Sequence, residues 1–111
     1  MRAREKCGVF GVYAKDREAF PYLYWGMLAQ NHRGHQSHGF ATYGGSLEYY
    51  TGLGLIPPFK EPGMESRVRV LKGSVGIGNV RYTTSGSSDA DALCRDAMPV
   101  MARGDERSLV L

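Results

Sequence analysis

Cys7-Gly8-Val9-Phe10-Gly11-Val12-Tyr13-Ala14 is the first apolar stretch of the chain, after a short charged lead. In an extended strand Val9, Gly11 and Tyr13 share one face, and Phe10, Val12 and Ala14 share the other. Apolar residues on both faces predict a central, fully buried strand. Cys7 stands at the mouth of that strand. A thiol held by a rigid element suits a nucleophile. A buried cysteine also serves simply as a small hydrophobe, and this stretch alone leaves both readings open.

Outward from the strand, the pattern predicts alternating elements. Lys15-Asp16-Arg17 reads as a polar turn. Residues 18–30 read as a helix, with Asp16 as its cap and Pro21 tolerated in the first turn. Phe20, Leu23, Met27 and Gln30 share one face of it, widened by Tyr24 and Leu28. The polar cluster from Asn31 to Gly39 then reads as a loop. Phe40–Tyr43 and Leu47–Tyr50 read as strands joined by a hairpin at Gly44-Gly45-Ser46. A short helical turn is predicted over 61–67, and a short strand or the approach to one over 68–71. In residues 73–82, Gly and Ser alternate with Val and Ile, so small side chains on one face admit another layer closely. Thr83 to Ala92 reads as a polar loop, and Ser108-Leu109-Val110-Leu111 as the start of another apolar strand. One helix and several strands do not cover both faces of a sheet, so the predicted class is α+β and only part of a larger fold.

Composition narrows the function classes. The 111 residues are 42% hydrophobic and 23% charged, in the globular range. No apolar run approaches the roughly 20 residues that span a bilayer, so no membrane partner is expected. No long apolar region follows the basic start, so a secretory signal is not expected either. The net charge of +3 comes from scattered basic residues without interleaved aromatics, which disfavours nucleic acid. The two cysteines, Cys7 and Cys94, make no disulfide framework, and the reading is a reducing cytoplasm. His32, His35 and His38 recur every third residue, but Gly34 and Gly39 argue against a helix that would gather them. No acidic residue lies in the cluster. A metal site is therefore not expected, and His35 and His38 read as exposed. Cys94 receives no role.

Three segments carry chemistry together: Cys7 to Val12, His32-Arg33-Gly34-His35-Gln36-Ser37-His38-Gly39, and Gly76-Ile77-Gly78-Asn79-Val80-Arg81-Tyr82-Thr83-Thr84-Ser85-Gly86. In this order and spacing, from Cys7 to the end, they resemble the glutaminase domain of the amidophosphoribosyltransferases. That domain is a class II glutamine amidotransferase with the N-terminal-nucleophile hydrolase fold. Glucosamine-6-phosphate synthase is less similar, because it favours Tyr where His32 stands and Trp where Tyr82 stands.

The resemblance implies an αββα sandwich, of which this chain holds the first half, and release of ammonia from glutamine for 5-phosphoribosylamine synthesis in purine biosynthesis. It implies Cys7 as the nucleophile, with its own α-amino group as base, and hence removal of residues 1–6. It implies that Arg81, Thr84 and Gly34 hold glutamine, while His32 and Arg33 brace the nucleophile strand. A guanidinium fork matches an α-carboxylate bidentately. Without the resemblance, Arg81 is a surface arginine, Thr84 a loop hydroxyl and Gly34 a helix C-cap.

The family's oxyanion-hole Asn-Gly pair would follow the strand beginning near Ser108. That pair, a later substrate-binding Asp and the phosphoribosyltransferase domain all lie beyond Leu111. The expectation is therefore residues 1–6 as a lead and 7–111 as a partial amidotransferase domain, inactive alone. It needs no cofactor of its own, with magnesium serving only the absent domain. Its partners are glutamine and the remainder of the enzyme, in a homo-oligomer. The alternatives are a non-catalytic remnant or binding module with the same half-fold, or another class II amidotransferase.

Overall fold

The computed structural model describes residues 7–31, 36–81, 98–99, 101–103 and 108–110. Its elements in chain order are β1 (Cys7–Tyr13), α1 (Phe20–Ala29), β2 (Ser37–Tyr43), β3 (Leu47–Leu53), α2 (Met64–Val68), β4 (Val75–Arg81), β5 (Met101–Arg103) and β6 (Ser108–Val110). The first four-stranded sheet has the order β1-β4-β2-β3, and β5 pairs with β6 in a second, two-stranded sheet. Every described pairing is antiparallel.

The sheet is built around β4, between β1 and β2. Its small residues explain how α1 reaches it. A side chain added at Gly76 would sit 2.5 Å from Leu23 Cδ1, and one at Gly78 would sit 2.6 Å from Met27 Cγ. The alternation of glycine with branched residues thus leaves a groove that the helix fills. Leu23, Met27 and Val80 are fully buried there. Phe40 of β2 is the centre of the core. Its ring meets Phe20 edge-on at 5.3 Å and lies parallel to Tyr50 at 6.4 Å. Such ring pairs add stabilisation beyond the area they bury.

The helix is shorter than its pattern predicts, and Asp16 does not cap it. Asp16 sits in the left-handed region (φ 61°), and the cap position falls to Ala19, with no side-chain cap bond. The turn at Asp16 uses the residue's tolerance for that conformation instead. Pro21 stands in the first turn as expected. The hairpin between β2 and β3 turns at residues 44–46, with Gly45 at φ 94°. The predicted strand at 68–71 is instead the end of α2 and a turn: Leu71 N–H donates to Val68 O.

The largest correction concerns β1. It is an edge strand among the described residues, paired with β4 alone, and Val9 and Tyr13 are exposed. The apolar pattern reports the layers above and below a strand, not its neighbours within the sheet. Phe10 and Val12 pack towards the core under α1. Val9 and Tyr13 lie on the opposite face of the sheet. A second layer begins on that face, because Gly39 of β2 lies against Met98 and Pro99, immediately before β5. The order of layers is helix, sheet, then the start of a second sheet's segment.

Candidate active site

Register brings the site together. In the β1–β4 ladder Cys7 lies opposite Arg81, and in the β2–β4 ladder Ser37 lies opposite the same Arg81. Directly opposed residues in a sheet share a face, with Cα atoms about 4.5–5.5 Å apart. Cys7, Arg81 and Ser37 therefore form one row across three strands, at one end of the sheet, on the face away from α1. Cys7 is exposed, Arg81 half-buried and Ser37 buried.

The backbone around Arg81 is fixed from both sides. Gln36 N–H donates to Arg81 O at 3.0 Å, and Gly54 N–H donates to Gln36 O at 2.9 Å. These bonds tie the end of β4 to the connection after β3, beyond what the ladder alone supplies. Asn79, two residues before Arg81 on the same face, has its Oδ1 buried with no hydrogen-bond partner among the described residues. An acceptor buried in this way carries a desolvation cost of roughly 1–3 kcal/mol.

Chemically, the row sets a thiol beside a guanidinium at a sheet end. A guanidinium rooted opposite the thiol has the chemistry to hold a carboxylate near the sulfur. Of the sequence-predicted site residues, the structure therefore brings Cys7 and Arg81 together. Gly34, Thr84, His32 and Arg33 lie outside the described residues, as do His35, Cys94 and residues 1–6. Ser37 was missed by sequence reasoning. It lies in a polar cluster that reads as a loop, and only the register of β2 on β4 sets it beside Arg81.

His38 corrects the expectation of an exposed side chain: it is only 2% exposed. Alternation along β2 turns it to the helix-side face, away from Cys7. Among the described residues, no group of three or more His, Cys, Asp or Glu side chains could hold a metal ion. No helix among them is long and apolar enough to cross a membrane.

This architecture is that of an N-terminal-nucleophile amidotransferase domain. The glutamine phosphoribosylpyrophosphate amidotransferase of B. subtilis, solved with ADP and GMP, superposes on 92% of this chain with a TM-score of 0.69 and 30% identity. The amidophosphoribosyltransferase of Methanothermobacter thermautotrophicus is 38% identical over 88 residues, 77% of this chain. That of Synechocystis is 35% identical over 88 residues, 78% of this chain. No family model matches the chain. The chain is homologous to the N-terminal part of the amidophosphoribosyltransferases. It spans about a fifth of their length: 18% of the first relative and 20% of the solved B. subtilis chain.

Proposed function

We propose that this chain is the glutaminase portion of an amidophosphoribosyltransferase and supplies ammonia from glutamine for 5-phosphoribosylamine synthesis. The observation that carries the reading is the pairing of Cys7 with Arg81 across the β1–β4 ladder, in a fold shared with these enzymes. Arg81 holds the α-carboxylate of glutamine, and Thr84 and Gly34 complete its binding. His32 and Arg33 support the nucleophile strand. The Cys7 sulfur attacks the side-chain amide carbon. The C–N bond breaks, ammonia leaves with the proton taken from the thiol, and water then releases glutamate from the thioester.

The proton is carried by the α-amino group of Cys7 once residues 1–6 are removed. Such an amine titrates near pH 7.7–8.0, while an amide nitrogen cannot take a proton at all. This half of the reaction needs no cofactor, and magnesium belongs to the phosphoribosyltransferase part. That part and the oxyanion donors come from the remainder of the enzyme, on the same or another chain, within a cytoplasmic homo-oligomer. Loss of one oxyanion donor alone costs about 10²–10³ in rate, so those donors matter as much to the reaction as the nucleophile's position does.

The test is Arg81→Ala in the assembled enzyme. A charge-assisted clamp contributes about 1.5–3 kcal/mol, so the KM for glutamine should rise by roughly 10- to 150-fold. Synthesis from added ammonia should persist. Loss of both reactions together would make Arg81 a structural residue and remove the reading.

A further inference from the structure

On the other side of the sheet from Cys7 and Arg81 lies a pocket of about 390 Å³, between the end of α1, the connection after β3, and α2. Its polar lining comes from Asn31, His38, Tyr50, Glu61 and Arg67. Each of these groups has a determined hydrogen-bonding sense.

His38 Nδ1 is 2.9 Å from Gly54 O. A carbonyl oxygen only accepts, so Nδ1 carries the proton. Nε2 is then an acceptor, and it takes the Tyr50 hydroxyl hydrogen at 2.9 Å. Tyr50 has no second hydrogen, so its oxygen can offer the pocket only lone pairs. Gly52 makes room for this pair: a side chain there would come within 2.7 Å of His38 Nε2 and 2.8 Å of Tyr50 Oη. Asn31 Oδ1 accepts from Ile56 N–H at 3.1 Å, which leaves the Asn31 NH₂ as a donor. Glu61 and Arg67 are exposed, and among the described residues no ion pair joins them to each other. The lining therefore presents two donors, one cationic, and two acceptors, one anionic.

We propose that this pocket is a binding site for a small zwitterion of the α-amino-acid class, its carboxylate on Arg67 and the Asn31 amide, its ammonium on Glu61 and the Tyr50 oxygen. The site is separated from Cys7 and Arg81 by the sheet itself, and the inference stands independently of the glutaminase reading. A guanidinium is matched in geometry to a carboxylate, and the bond from the half-buried Tyr50 to the buried His38 sets the acceptor that selects a cation. The groups facing His38 are Tyr50, Glu61 and Arg67. Protonation of His38 turns Nε2 into a donor to Tyr50 and swings the hydroxyl hydrogen towards the ligand's ammonium. Affinity therefore falls as the pH drops through the folded-state pKa of His38, which burial holds below 6.5.

The experiment is an NMR titration of the 111-residue chain with glycine, followed at the backbone amides of Gly52, Gly54 and Ile56. Saturable shifts centred on those amides are expected. Arg67→Ala and Glu61→Gln, both at exposed positions, should each weaken binding by about tenfold or more. Acetate and methylamine, each carrying half of the ligand, should each bind more weakly than glycine. The proposal is overturned by the absence of saturable shifts, or by shifts that survive both substitutions. Acetate matching glycine would identify an adventitious anion only and overturn it too, as would shifts centred on the Cys7–Arg81 end of the sheet.

Discussion

Arg81 has Cys7 across one ladder and Ser37 across the other, and its backbone carbonyl is bonded to Gln36. A side chain anchored at its root in this way explains why the residue type matters beyond its charge. Arg81→Lys keeps the charge and loses the fork. If the clamp is bidentate, this variant should recover only part of the glutamine affinity that Arg81→Ala loses, as read from the KM in the assembled enzyme. His38 supplies a second prediction, on stability. Burial pushes its pKa below the ordinary 6.5. The unfolded chain therefore binds more protons through that range, and stability rises with pH there. The contribution is fully present above pH 6.5 and is lost as pH falls from that value towards the folded-state pKa. Urea midpoints measured from pH 7.5 to pH 5 should fall, and the fall should be smaller in His38→Asn. Neither His38's burial nor its Tyr50 partner was readable in the sequence, because both depend on which polar residue of the 31–39 cluster enters the strand.

Helix α1 on β4 was largely readable, because periodicity and residue size point the same way. The stripe at Phe20, Leu23 and Met27 meets the small face at Gly76 and Gly78. Gly78→Val should force the helix off its seat and destabilise the chain by about 1–3 kcal/mol, measured as a shift in urea midpoint at unchanged slope. Phe40→Ala empties the ring cluster instead, and about 3–5 kcal/mol is expected from the same measurement. The edge position of β1 was not readable. Gly8 to Ala14 is continuously apolar, as a strand with both faces covered would be, yet lateral order in a sheet is set by partners distant in sequence. The ladder from Cys7–Arg81 to Tyr13–Val75 spans more than sixty residues of chain. The same distance hides the Cys7–Arg81–Ser37 row. Its first two members were named from motif resemblance, while Ser37 needed the register.

At the scale of the molecule, the layers explain the exposed apolar residues. Val9, Tyr13, Tyr43, Tyr49 and Val75 lie on the sheet face away from α1, where Met98 and Pro99 begin a second layer. The relatives are more than four times as long as this chain. The central claim is that Cys7 acts as an N-terminal nucleophile, and six residues precede Cys7 in the sequence. Intact-mass measurement of the glutamine-hydrolysing protein, purified from its native host, addresses that claim most directly. The account predicts a mass that starts at Cys7. Glutamine hydrolysis by a form that still carries residues 1–6 would contradict it.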